Sequence, residues 1–193
     1  MTRSFLFLLG SARTGGNTEL LARAAADQLP ADVEQRWLDL TALHLPDFRD
    51  ERHDPDAGPA GNSDEALLWE ATTAATDIVI ASPLYWYSVS AATKRYLDYW
   101  SKWLHTPDPG FRAKMGGRTL WGVTAMAHRE EEVAQPLILT LHHSAAYMGM
   151  RFGGVLLGNG TSPGQVLTDD RALLRAKTFF AQDPPPARFA HQS

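Results

Sequence analysis

"SFLFLLGSARTGGNTELLARAAADQL", residues 4–29, sets an uninterrupted apolar run against a turn of glycine, serine and threonine, then an alanine-rich stretch. An apolar run without polar alternation marks a strand buried on both faces of a parallel sheet. Asn17 or Thr18 can cap the following helix. Leu21, Ala25 and Leu29 share one face of that helix, and Pro30 stops it. Strand, glycine turn and helix together form the first half of a β-α-β unit.

The same alternation continues down the chain. "VEQRWLDL" at 33–40 reads as a second strand, and its mixed polarity suits a sheet edge. Residues 41–63 have a short apolar start and then Pro, Gly, Asp and His, the composition of a long surface loop. A helix over about 64–75 leads into the β-branched strand "DIVIAS" at 77–82, and a second helix from about Ala91 ends before "PDPG" at 107–110. "RTLWGVTAM" at 118–126 and "RFGGVLLGNG" at 151–160 are the fourth and fifth strands, with a proline-containing helix between them and a last helix over about 169–182. Strands alternating with helices predict an α/β fold: a flavodoxin-like open five-stranded parallel sheet in the order 2-1-3-4-5, with helices on both faces. Residues 1–183 are expected as one domain and 184–193 as a flexible C-terminal tail.

Composition narrows the chemistry. The chain has 193 residues, of which 44% are apolar, enough for one sizeable core. Its 18 basic and 22 acidic residues give a net charge of -4 with no basic block, which argues against nucleic-acid partners and a membrane-binding face. The absence of cysteine excludes disulfides, thiolate catalysis and cysteine-ligated iron-sulfur or zinc sites, so any redox chemistry needs an organic cofactor. Phe5 to Leu9 is shorter than the apolar core of a signal peptide, about 7 to 15 residues, and a cytoplasmic location is expected. The seven histidines show no metal-ligand spacing, and no metal is assigned.

In such a sheet ligands bind beyond the carboxyl ends of the strands, at the switch point between strands 1 and 3. Three loops reach that point: residues 10–18, 83–90 and 125 to about 132. In the first, Gly10 permits a sharp exit from the strand and Gly15 and Gly16 permit close backbone approach. Ser11, Arg13, Asn17 and Thr18 can add donors for an anion held at the helix start. The loop holds no lysine followed by Ser or Thr, and its glycines do not fit G-x-G-x-x-G, so this is neither a nucleotide P-loop nor a dinucleotide fingerprint. A plain strand-to-helix turn is the alternative. The second loop carries Pro83, Leu84, Tyr85, Trp86, Tyr87 and Ser88, whose aromatics suit a flat heteroaromatic ring, a cap on the core or a subunit contact.

Two patterns carry a resemblance: G-S-x-R-x-x-x-N-T at 10–18, and S-P-x-Y-W-x-S-x-S-A-x-x-K-x-x-x-D-x-W at 82–100. With "LDLTALHLPDF" at 38–48, they make the chain similar to the NAD(P)H-dependent FMN reductase family over roughly residues 4–126. The resemblance implies that Ser11, Arg13, Gly16, Asn17 and Thr18 hold the FMN phosphate, and that Pro83, Leu84, Tyr85, Trp86, Tyr87 and Ser88 line the isoalloxazine ring. It implies FMN as cofactor, NADPH or NADH as co-substrate, and a small acceptor such as a quinone, flavin, azo or nitro compound. The third loop departs from the family's glycine-rich form, reading "TAMAHRE", so ring contacts from Ala125, Met126, Ala127 and His128 depend on this chain's own geometry. Lys94 and Asp98, spaced i,i+4, are expected to shape their helix. Tyr96, Tyr99, Trp100 and Trp103 fall at helical spacing and read either as core or as the interface of a homodimer or homotetramer. Residues 44–62 are placed to cover the acceptor pocket as a lid, with a disordered surface excursion as the alternative. Two rivals remain: a flavodoxin-type electron carrier, to which the modest charge is poorly suited, and a flavin-free interaction domain, against which the intact first loop argues.

Overall fold

The computed structural model of the chain describes residues 2–50, 62–105 and 110–190. The apolar runs become β1 Ser4–Leu9, β2 Glu34–Asp39, β3 Asp77–Ala81, β4 Thr119–Met126 and β5 Arg151–Asn159. All pair in parallel, in the expected order β2-β1-β3-β4-β5. Between them lie α1 Asn17–Ala26, α2 Ser63–Ala74, α3 Ala91–Trp103, α4 Phe111–Met115, α5 Gln135–Tyr147 and α6 Asp170–Phe179. The polar β2 lies at one edge, and β3 and β4 are buried along their whole length.

Strand alternation sorts the core into two layers. Phe5, Phe7, Val79, Trp121 and Val123 point to the face covered by α1 and α6, and Leu6, Leu8, Ile78, Ile80 and Leu120 to the face covered by α2, α3, α4 and α5. Register sets the height of the site. Leu9 pairs with Ala81, so β1 and β3 end level, whereas β4 runs three residues past Val123, the partner of Ala81, to Met126 opposite Asn159. At about 3.3 Å per residue, the last two strands raise a wall roughly 10 Å above the exits of the first and second loops.

Two features depart from the sequence reading. The short α4 was not expected after the "PDPG" stop; it forms because fully buried Phe111 packs its ring on Trp69, Trp100 and Trp103. That packing also settles the aromatic stripe of α3. Tyr96, Tyr99, Trp100 and Trp103 are buried within the chain itself, so these rings are core, and any subunit contact through this region must use other side chains. Burial holds the Tyr96 phenol above its ordinary range, and its hydroxyl shares a hydrogen bond with Thr72.

The far edge is shaped around Trp121, which is fully buried and donates its indole N–H to Asp77. Its ring lies where a side chain on Gly153 would stand: a Cβ there would meet Trp121 Cε3 at 1.9 Å, and the β4–β5 register shifts between Leu120 and Gly122. Within the expected tail, the Pro185 carbonyl accepts from Phe152 and Ala187 N–H donates to Met150, while residues 191–193 lie outside the described residues. Among the described residues, no helix is long and apolar enough to cross a membrane, and no group of three or more His, Asp or Glu is placed to hold a metal ion.

Candidate functional site

The first loop is tight because the second presses on it. A Cβ at Gly10 would stand 2.1 Å from Thr93 Oγ1 and 2.9 Å from Ser90 Oγ, so glycine is required for the start of α3 to close on β1. Arg13 N–H then donates to Ser11 Oγ (3.1 Å), Gly16 N–H to the Arg13 carbonyl (3.3 Å), and Gly15, at φ +64°, turns its N–H to Glu19 Oε2 (2.8 Å). Gly16 is the N-cap of α1 and has no side chain to cap it, which leaves the amides of Asn17, Thr18 and Glu19 aimed out of the helix start. The helix dipole favours an anion there. Arg13 is exposed and forms no ion pair among the described residues.

Two of the side chains expected at the anion have structural employment. Thr18, buried, accepts from Ala125 N–H (3.1 Å) and ties α1 to the root of the third loop. Asn17 donates from Nδ2 to the Ser162 carbonyl (2.9 Å) and accepts from Val166 N–H (3.4 Å), anchoring a fourth loop that sequence reasoning missed. That loop, residues 160–165, follows β5, and its Gly160 is packed so closely that a Cβ would meet Val166 N at 2.8 Å and Asn17 Nδ2 at 3.0 Å. The signal was present as Asn-Gly followed by "TSPG", turn chemistry at the carboxyl end of a strand.

The second loop is a strained aromatic turn. Ser82, buried, donates to the Pro83 carbonyl (3.1 Å) and accepts from Ser90 N–H (2.9 Å), which clamps both ends. Tyr85 and Ser88 exchange two backbone hydrogen bonds of 3.0 Å, and between them Trp86 and Tyr87 hold φ values of 50° and 64°. Positive φ at both central residues defines a type I′ turn, normally Asn-Gly. Trp86 is 95% exposed at its tip, flanked by Tyr85 at 48% and Tyr87 at 52%. Pro83 is buried, and Leu84 packs toward Met126 and Leu157.

Across from that turn stands the third loop. Ala125 and Met126 are buried; Ala127, His128 and Arg129 are exposed. Asn159 Nδ2 reaches the carbonyls of Met126 (3.2 Å), Ala127 (2.9 Å) and His128 (3.1 Å), and Gly160 N–H donates to Met126 (3.0 Å). Asn159, the last residue of β5, and Gly160 thus brace the third loop from the β5 side. Four loops converge: an uncapped helix start, a rim of aromatics and a side-chain-braced wall. Free helix-start amides are groups that could hold a phosphate, and exposed aromatics are groups that could hold a flat ring.

Of the expected lid, residues 51–61 lie outside the described residues. Its near end packs onto α3: Arg95 donates to the Leu45 carbonyl and pairs with Asp47 (2.9 Å), and Tyr99 hydroxyl donates to the Pro46 carbonyl (3.1 Å). Lys94 and Asp98 form an exposed ion pair on the same helix.

Comparison with known proteins agrees with this fold. Residues 4–154 match the family model described as NADPH-dependent FMN reductase. YwqN of Bacillus subtilis (strain 168), a provisionally named NAD(P)H-dependent FMN-containing oxidoreductase, is 29% identical over 168 residues, which cover 86% of this chain and 91% of that protein. Among solved structures, a Trp repressor binding protein from Bacillus subtilis shares 26% identity at a TM-score of 0.72, covering 93% of this chain and 99% of its own. An azoreductase from Bacillus anthracis str. Sterne shares the fold, with a TM-score of 0.65 at 14% identity, over 92% of this chain and all of its own.

Proposed function

The chain belongs to the NADPH-dependent FMN reductase family, and we propose that it works as a ping-pong reductase whose two substrates use one place in turn. It is an NAD(P)H-dependent oxidoreductase with FMN as cofactor. FMN, when bound, supplies the redox chemistry, taking hydride from a reduced nicotinamide and passing electrons to an acceptor that replaces it. The chain's own residues supply binding, orientation and shielding.

The site fits that cofactor. The uncapped amides at the start of α1, with Gly16 as N-cap, match a terminal phosphate, and exposed Arg13 lies on the same loop. Pro83, Leu84, Tyr85, Trp86, Tyr87 and Ser88 would hold the ring on one side, and Ala125, Met126 and His128 on the other. Asn17 and Thr18 serve it indirectly, by fixing the fourth and third loops to the helix that binds the phosphate.

The observation that carries this reading is the strained turn at Trp86 and Tyr87. A chain that holds two bulky residues in the left-handed region, with the larger one in water, gains nothing for its own fold from doing so. A ring-shaped ligand recovers that apolar area. Small planar acceptors such as quinones, flavins, azo or nitro compounds suit the same surface. A homodimer or homotetramer, in which a second copy covers Trp86, and a cytoplasmic location belong to the same reading.

The test is spectroscopic. The purified protein is loaded with FMN, and NADPH and NADH are added separately without oxygen while the flavin band near about 450 nm is followed. Rapid bleaching by either nucleotide supports a reductase. Bound flavin that neither bleaches would indicate a flavodoxin-type carrier needing a protein partner, and failure to bind FMN would refute both.

A further inference from the structure

The first loop turns through Gly15 at φ +64°, and no atom lies within 4 Å of the point where a Cβ on Gly15 would stand. Packing therefore does not hold this turn. Hydrogen bonds do: a long one from Gly16 N–H to the Arg13 carbonyl (3.3 Å) and a shorter one from Gly15 N–H to Glu19 Oε2 (2.8 Å). Glu19 is the third residue of α1, the position from which a glutamate ordinarily reaches back to the N-cap amide. Here it reaches one residue further, past the N-cap Gly16, and its carboxylate does not occupy the amides of Asn17 and Thr18.

A carboxylate in that position opposes anion binding. Glu19 is buried, and it puts negative charge at the helix start that the dipole otherwise makes attractive to an anion. Arg23, four residues on, answers that charge. Its Nε (2.9 Å) and Nη2 (2.7 Å) both donate to Glu19 Oε1, which leaves Oε2 to Gly15. The guanidinium is fixed from its other side as well: Arg23 Cζ lies 4.4 Å from the centroid of the Trp37 ring, and Trp37 stacks on Phe7 at 4.0 Å and 6°. Phe7 belongs to β1, the strand that feeds the loop, so these contacts run from β1 through β2 and α1 back to Gly15. An exposed i,i+4 ion pair contributes little to stability. This one has a buried member that holds a backbone amide of the loop.

We propose that Glu19 and Arg23 are positioning residues for the flavin phosphate: Glu19 holds Gly15 in the turn that faces the helix-start amides outward, and Arg23 cancels the charge that Glu19 brings there. This rests on the FMN reading of the site. Both act through the loop rather than as phosphate ligands, since Glu19 has the wrong charge for one and Arg23 is committed to Glu19 and Trp37.

The test compares dissociation constants for FMN and riboflavin, read by flavin fluorescence on the FMN-free full chain, because riboflavin lacks the phosphate and reports the ring site alone. Glu19→Gln and Glu19→Ala both remove the charge, but only glutamine keeps an acceptor for Gly15 N–H. The alanine variant is expected to bind FMN about threefold to tenfold more weakly than the glutamine variant, with riboflavin affinity equal in the two. Arg23→Ala is expected to weaken FMN binding about fivefold to tenfold, and adding Glu19→Gln to it to recover most of that loss, because the uncompensated charge is then gone. A merely structural role would move FMN and riboflavin together and would make the double variant worse than the single one. The proposal is overturned if the two flavins weaken in parallel, if the glutamine and alanine variants bind FMN alike, or if the double variant binds FMN no more tightly than Arg23→Ala. If the native chain binds neither flavin, the FMN reading fails by itself; inorganic phosphate, titrated by calorimetry into the same proteins, then decides, the same order of affinities supporting an anion-holding loop and any other order overturning it.

Discussion

Replacing Trp86 by asparagine and Tyr87 by glycine together converts the strained turn into the Asn-Gly sequence that its backbone prefers. An L-residue with a bulky side chain in the left-handed region costs about 1–2 kcal/mol, so the native pair at φ 50° and 64° stores about 2–4 kcal/mol. Trp86 is 95% exposed, and its removal gives up almost no burial. Tyr87 is 52% exposed, so its loss forfeits about 1 kcal/mol of apolar contact. The added glycine takes back about 0.5–1 kcal/mol through the unfolded chain. The net expectation is a gain of about 1 kcal/mol, which for a chain of this size raises Tm by roughly 2–4 °C. The measurement is thermal unfolding by circular dichroism on FMN-free protein, because bound cofactor would add its own stabilisation. In parallel, the FMN dissociation constant is expected to rise at least about tenfold, since two ring-facing aromatics are lost. An unchanged or lower Tm would refute the strain; a higher Tm with unchanged FMN affinity would refute its connection to the cofactor.

Three further outcomes follow from the packing. Asp77, buried at the first position of β3, accepts from Arg3 (2.6 and 3.1 Å), Thr76 (2.8 Å) and Trp121 (2.9 Å); Asp77→Ala leaves the buried Trp121 indole N–H without its acceptor and Arg3 without its carboxylate, and is expected to destabilise by about 3 kcal/mol, read as the shift of the urea midpoint. Gly153→Ala drives a methyl into the fixed ring of Trp121 and is expected to cost about 1–3 kcal/mol, with a lower Tm, whereas an unaltered Tm would mean the edge strand yields freely. Thr18→Val removes the acceptor for Ala125 N–H, so that amide is buried without a partner. FMN titration should show weaker binding and Thr18→Ser should restore it; equal affinities in all three proteins would exclude this bond from the site's support.

Local physics made the frame readable. A strand between two helical layers must be apolar on both sides, and Phe5 to Leu9 and Ile78 to Ala81 announce themselves for that reason. The mixed β2 announces an edge by the same rule. The uncapped start of α1 was legible because glycine turns and helix starts are written within a few residues of one another. Long-range partnership was not. Asn17 fits a phosphate ligand on composition, and its engagement with Ser162 and Val166 lies 145 and 149 residues away, where no local pattern specifies it. The stripe of Tyr96, Tyr99, Trp100 and Trp103 has one helical spacing whether it faces core or partner. Phe111, on a helix hidden behind proline and glycine, decides that it faces core.

The second loop shows why such failures concentrate at a site. Every local rule opposes Trp-Tyr in the centre of a type I′ turn, so no reading by propensity assigns positive φ to those residues. The turn persists because its surroundings overdetermine it: Ser82 clamps both ends, Ser90 caps α3, and Gly10 lets that helix press against the first loop. Each clamp lies in the core, where sequence is tightly constrained by packing, while the two residues it forces into strain face solvent. A fold optimised only for its own stability would place Asn-Gly at 86 and 87 and lose nothing of the core. The disagreement between local preference and observed backbone therefore marks the residues whose benefit is realised only with something bound beside them.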